Sequence, residues 1–198
     1  FGSSITEPTP PTKIGYTFNG WGKEVLPTMP AENTEYIAQW SVANNTPYIV
    51  EHYLQNIDNT YSVIANYCDT LYGITNEQTN AVAKTYEGFT AQTFEQQNIA
   101  ANGSTIIRIE YNRNTYTLTW NMGDATISAA EYTQAGQVPY GAPIIPPVIE
   151  KHGYTHTWEG LISTMPANDV TITAIWEASN SLYIVNHRQQ CLNGEYSV

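Results

Sequence analysis

The chain has 198 residues, with 7 Lys and Arg against 18 Asp and Glu, for a formal charge of −11. That balance leaves no counterion-release affinity for nucleic acid and sets the chain against anionic lipid. No stretch of about 18 apolar residues occurs, so nothing reads as a membrane-spanning helix. Fifteen Tyr and five Trp among abundant Thr fit an extracellular β protein. The two cysteines, Cys68 and Cys191, are too few for a disulfide framework and read as unpaired thiols or packing residues.

Strands dominate the chain in order. Thr34, Tyr36, Ala38 and Trp40 alternate along one face, and Tyr48, Val50, His52 and Leu54 do the same in the next strand. Asp58-Asn59 then turns the chain into Tyr61-Ser62-Val63-Ile64 as a hairpin. Thr75 to Lys84 is the best helix candidate, with Thr75 and Gln78 placed for a capping box, although Thr and Asn also suit an extended segment. Ile107, Ile109 and Tyr111 share a strand face, and Asn112-Arg113-Asn114 leads into Tyr116, Leu118, Trp120 and Met122 on another. Met122-Gly123-Asp124-Ala125 reads as a second hairpin turn. Val170, Ile172, Ala174 and Trp176 close the pattern, and prolines at 8–11 and 143–147 mark irregular crossings.

The chain also repeats itself. GYTFNGWGKEVLPTMPAENTEYIAQW at 15–40 returns as GYTHTWEGLISTMPANDVTITAIW at 153–176, and YIVEHYLQNIDNTYSV at 48–63 returns as YIVNHRQQCLNGEYSV at 183–198. Trp40 to Trp176 and Met29 to Met165 are both separated by 136 residues. A fixed period of this kind marks a tandem array. Phe1-Gly2 aligns with Tyr140-Gly141, so residues 1–43 correspond to the latter part of a 115–178 unit.

The stretch GYTFNGW…TMPAENTEYIAQW resembles the Listeria–Bacteroides repeat, the B-repeat of internalin-type surface proteins. Residues 153–176 follow the same pattern with His156 in place of Phe18 and Thr157 in place of Asn-Gly. YIVEHYLQNIDNTYSV…YEGFT…GSTIIRIEYNRN is similar, more loosely, to a mucin-binding-protein type repeat. These resemblances imply a mainly β, α+β chain of small β-grasp, ubiquitin-like modules in a tandem, elongated array. The expected parts are a partial B-repeat-like module at 1–43, a mucin-binding-protein-like module at 46–114, a complete B-repeat-like module at 115–178 and an opening hairpin at 183–198. Short linkers fall at about 41–47 and 178–182. Both ends are expected to be unfinished units, completed by further chain or by strand addition from a neighbouring chain.

Candidate chemistry is sparse. His152 and His156 have a helical metal-ligand spacing, but Ile14 and Phe18 stand at their places in the other copy, which favours packing over a metal. His52 recurs as His187, and a hydrogen-bonded strand histidine is preferred to a pH-responsive contact. Glu32, Glu35, Asp58, Glu110, Glu131, Glu150 and Asp169 are scattered, with no two carboxylates set across one cleft. Asp58 and Asp124 lack the dense acidic spacing of a calcium loop. Asn44 and Asn102 head glycosylation sequons. Tyr16, Trp21, Met29, Trp40, Trp120, Tyr154, Trp158, Met165 and Trp176 are the expected core, in preference to a sugar-stacking platform of the tryptophans.

The resulting expectation is a non-enzymatic spacer or assembly segment of a surface stalk, adhesin or fibre at the cell surface, with no cofactor and no metal. Its partners would be neighbouring repeats of the same chain or of other copies. Direct binding to glycan, mucin or a receptor on a cell surface is the alternative.

Overall fold

The computed structural model describes residues 1–63, 68–123, 126–127, 134–180, 184–186, 188–190 and 196–197. The chain divides into two compact units, Phe1–Asn114 and Thr115–Val198. It is mainly β, and no helix occurs among the described residues.

In the first unit, β1 (Tyr16–Trp21) and β2 (Ala38–Val42) form an antiparallel pair. A larger sheet follows, built from β3 (Thr46–Gln55), β4 (Tyr61–Val63), β5 (Asp69–Gly73), β6 (Phe89–Ala91) and β7 (Ile106–Arg113). Its order is β4-β3-β7-β6, with β5 beside β4 on the outer edge of β3. The first and last strands, β3 and β7, run parallel at the centre, with His52 opposite Ile109. The alternation read from the sequence sets the faces. Tyr48, Val50 and His52 from β3 and Ile107, Ile109 and Tyr111 from β7 are all buried. Asn59, at φ 66, is the left-handed residue that follows the turn closed by its own N–H to Asn56 O at 3.1 Å, as three-residue hairpin loops require, and asparagine tolerates that conformation better than most residues.

The helix expected at Thr75–Lys84 is absent: a turn closed by Glu77 N–H to Ile74 O at 3.1 Å leads into a non-helical segment. Asn76 has φ 69, which no right-handed helix accommodates. The segment's polar groups are satisfied by the antiparallel stretch around Gln96. Its amide oxygen accepts from the Thr79 hydroxyl at 2.6 Å and the Ala81 N–H at 3.0 Å, while its NH2 donates to the Ala81 carbonyl at 2.8 Å. One glutamine thus does for this backbone what a paired strand would do, and the crossover between the parallel strands needs no helix.

In the second unit, β8 (Thr115–Asn121) is followed by β9 (Thr126–Ile127), β10 (Gly136–Pro139), β11 (Ile149–Glu150), β12 (Tyr154–Glu159) and β13 (Val170–Ala178). The main sheet runs β10-β8-β13-β12, again with the first and last strands parallel at the centre. Strands β9 and β11 pair separately. Toward the end of the chain, β14 (Gln189–Gln190) pairs antiparallel with β15 (Tyr196–Ser197). The core gathers Leu118, Trp120, Val138, Ala142, Ile144, Met165 and Ile172.

The two sequence copies have the same hydrogen-bond frame. Gly2 N–H donates to Met29 O at 2.8 Å, and Gly141 N–H donates to Met165 O at 2.7 Å. Met29 N–H to Ser3 O at 2.8 Å is matched by Met165 N–H to Ala142 O at 2.9 Å. Ala43 N–H to Gly15 O at 2.9 Å is matched by Ser179 N–H to Gly153 O at 2.8 Å. Strands β1 and β2 therefore correspond to β12 and β13. What differs is the neighbour. β13 is nine residues long and pairs with β8 over Val170–Thr173, whereas β2 is five residues long and begins only at Ala38.

Candidate functional site

The most concentrated set of titratable groups lies in the first unit and grows out of β3. Alternation turns His52 inward with Tyr48 and Val50, leaving its ring 1% exposed. Its Nδ1 lies 2.8 Å from the Tyr111 hydroxyl and its Nε2 3.3 Å from Asp69 Oδ2. The Tyr111 hydroxyl also accepts the Lys84 backbone N–H at 2.8 Å, and the Lys84 ammonium sits 2.6 Å from Asp69 Oδ2. The rings of Tyr86 and Tyr111 meet edge-on at 4.8 Å between centroids.

Burial dominates the imidazole and pushes its pKa below the ordinary 6.5, against the pull of the Asp69 hydrogen bond. The Lys84 ammonium, by its hydrogen bond, holds the Asp69 carboxyl below its ordinary 3.8. Burial raises the Tyr111 phenol. The buried imidazole is thus neutral at neutral pH, while the half-exposed Lys84–Asp69 pair stays charged. Such an arrangement fixes the crossover segment to the sheet.

The sign of the pH dependence follows from these directions. Above pH 6.5 both folded and unfolded chains carry a neutral His52, and its burial costs nothing in protonation. As pH falls through 6.5, the unfolded chain takes up a proton that the folded chain resists, so stability drops until the lowered folded value is passed. Asp69 adds a second loss in the same direction below 3.8. The urea midpoint of the first unit should therefore fall between pH 7 and 5, before most carboxylates titrate. A flat midpoint across that range would show that His52 is not held neutral by burial.

The other sequence candidates are dispersed. His152 lies in an exposed turn, and His156 on β12 packs against Trp158 and Trp176 at ring-centroid distances of 5.5 and 5.1 Å. It occupies the place of Phe18, which meets Trp21 and Trp40 at 5.3 and 5.6 Å. Asp58 Oδ1 accepts from the Thr60 hydroxyl at 2.6 Å and the Thr60 N–H at 3.0 Å, a turn-forming contact that lowers its pKa. Asn44 and Asn102 are both exposed. Asn102 Oδ1 accepts from the Ser104 hydroxyl, while Thr46, the hydroxyl residue of the Asn44 sequon, is buried against Thr75. Cys68 is an exposed free thiol. His187, Cys191, Asp124 and Glu131 lie outside the described residues.

Among the expected core residues, Met165 is 1% and Trp120 7% exposed, while Tyr16, Trp21, Trp40, Trp158 and Trp176 are half-buried. Trp120 stacks edge-on against Trp158 at 4.9 Å and donates its indole N–H to Gln134 O at 2.6 Å. Two residues depart from expectation. Met29 is 50% exposed, and the sheet beside it has only β1 and β2 among the described residues. Tyr154 is 43% exposed, because it opens β12 at the margin of the core, with the Lys151 ammonium 4.4 Å above its ring. Sequence reading also missed an open cleft of about 380 Å³ with Gln92, Gln97, Glu95, Arg108 and Glu110 on its walls. It opens where the chain after β6 diverges from β7, and no local sequence signal marks that divergence.

The class defined by these features is a mainly β protein in which one hydrogen-bond frame occurs twice. In sequence comparisons, the model of the Listeria-Bacteroides repeat domain matches residues 1–45. The chain is also 42% identical over 52 residues to an Evansella cellulosilytica protein whose name describes it as a membrane protein. That alignment covers 22% of this chain, and the chain spans 8% of the relative's length. No solved structure matches. No described helix is long and apolar enough to cross a membrane.

Proposed function

We propose that this chain is a non-enzymatic structural repeat segment of an extracellular surface stalk, adhesin or fibre, acting as a spacer or assembly unit. The carrying observation is the hydrogen-bond frame around Met29 and Met165, repeated bond for bond from two stretches of one sequence. A chain that spends its length building one frame twice is suited to extent rather than turnover. The Listeria-Bacteroides repeat match over residues 1–45 and the relative's membrane-protein name support placement at the cell surface.

In this reading residues 46–114 and 115–178 are β-grasp modules. The support is a shared sheet order, with an antiparallel strand on the outer side of the first long strand and the last long strand parallel to the first. Residues 46–114 would be a mucin-binding-protein-like module alternating with Listeria-Bacteroides repeats in a tandem, elongated array. The partners would be neighbouring repeats of the same or other copies, with no cofactor.

Brief protease treatment of intact source cells is expected to release peptides of this chain. Their appearance only after lysis would defeat the surface reading. A second reading, direct recognition of a glycan, mucin or receptor, draws on the cleft beside β7, whose amide, carboxylate and guanidinium groups suit hydroxyl-rich ligands. A glycan array probed with the whole chain separates the two. Specific binding lost in Arg108→Ala would favour recognition over spacing.

A further inference from the structure

Between the β1–β2 pair and the larger sheet of the first unit, the chain has only Ala43, Asn44 and Asn45. A short covalent connection still lets two sheets swivel unless other contacts join them. Here several do. The Ala43 N–H donates to Gly15 O at 2.9 Å, and Ala43 O accepts the Thr75 N–H at 2.9 Å. Thr75 is 1% exposed, with its hydroxyl 2.6 Å from that of Thr46 at the head of β3. Asn76 donates its N–H to Ile99 O at 2.9 Å and its side-chain NH2 to the Tyr16 hydroxyl at 3.4 Å. The Lys13 ammonium lies 3.9 Å above the Tyr16 ring. Gly15, at φ 76, sits directly on Ala101. A Cβ at Gly15 would come within 2.5 Å of the Ala101 Cβ and 2.8 Å of its carbonyl oxygen, so only glycine permits this approach.

We infer that these contacts make residues 43–45 a locked joint rather than a flexible linker, with Gly15, Tyr16 and Ala43 as a docking face for the loops at 74–76 and 100–103. The face is chemically specific. It takes a residue with nothing beyond Cβ opposite Gly15, an amide donor opposite the Tyr16 hydroxyl and a backbone N–H opposite Ala43 O. The attachments reach both strands of the pair, through Gly15 and Tyr16 where β1 begins and through Ala43 where β2 ends. A hinge needs a few backbone positions free to absorb a rotation, and a second point of attachment removes that freedom. The two sheets of the first unit therefore turn as one body. For a spacer, such a joint would carry direction from one sheet to the next. That use rests on the spacer reading, whereas the joint itself rests on the contacts alone.

The test is residual dipolar couplings of backbone amides in the weakly aligned, isotopically labelled whole chain, together with amide exchange at Thr75. In the unmodified chain, the amides of β1–β2 and of β3–β7 are expected to fit one common alignment. Ala101→Trp places bulk against Gly15 without altering the Gly15 turn or the core of the larger sheet. It should split the couplings into two sets of different alignment and speed Thr75 exchange at least about tenfold, while Ile107 and Ile109 stay protected. Two alignments in the unmodified chain would overturn the inference, as would one alignment with unchanged Thr75 exchange in the variant. Should Ile107 and Ile109 lose protection in the variant, the couplings of the unmodified chain decide by themselves. Neither result bears on release of the chain from cells by protease, so failure of the joint and failure of the surface reading are told apart.

Discussion

Met165→Ala should destabilise the second unit by about 2–5 kcal/mol, whereas Met29→Ala at the equivalent place should cost less than about 1 kcal/mol. The two methionines share sequence context and backbone hydrogen bonds, so local differences cancel. What remains is cover. Met165 is 1% exposed within the Leu118, Trp120 and Ile172 core, and truncating it leaves a cavity that those neighbours only partly fill. Met29 is already 50% exposed, so truncation forfeits only part of a transfer term and creates no closed void. Urea midpoints followed by amide signals from each unit measure both. Equal losses at the two sites would mean that Met29 is covered to the same extent as Met165.

Ile109→Ala should cost the first unit about 2–5 kcal/mol. Ile109 is 0% exposed and stands opposite His52 in the central parallel pair of β3 and β7. It packs in one cluster with Val50, Ile107 and Tyr111, so its removal opens space where the crossover meets the sheet. Its outward neighbour Arg108 pairs with Glu110 at 2.7 Å and lies over the Tyr53 ring, half-exposed. Arg108→Ala is therefore expected to cost less than about 1 kcal/mol, because solvent screens that pair. A small loss at Ile109, measured by the same urea midpoints, would contradict the placement of the core between β3 and β7.

Local pattern revealed the faces of the long strands. The inward sets Tyr48-Val50-His52, Ile107-Ile109-Tyr111 and Leu118-Trp120 follow from a period of two, which needs only neighbouring residues to detect. The repeat was legible for the same reason, since it compares the sequence with itself. What failed depends on distant partners. Thr75–Lys84 has helix-compatible composition, yet its polar groups are taken by Gln96, 15 residues from Ala81. His52 finds Asp69 and Tyr111 at separations of 17 and 59 residues. Met29 and Met165 look identical in sequence, and only the presence or absence of β8 separates their environments. The short strands β5 and β6 owe their existence to the long strands they border rather than to their own pattern.

The measurement that bears most directly on the claim of one frame built twice, paired to a parallel strand at 170–173 and not at 34–37, is amide hydrogen exchange on the unmodified chain. The amides of Gly2 and Met29 should be protected like those of Gly141 and Met165, since both pairs close the same frame. Residues 34–37 should exchange freely, while alternate amides within 170–173 should be protected by β8. Equal protection of 34–37 and 170–173, or loss of the frame in one copy alone, would contradict it.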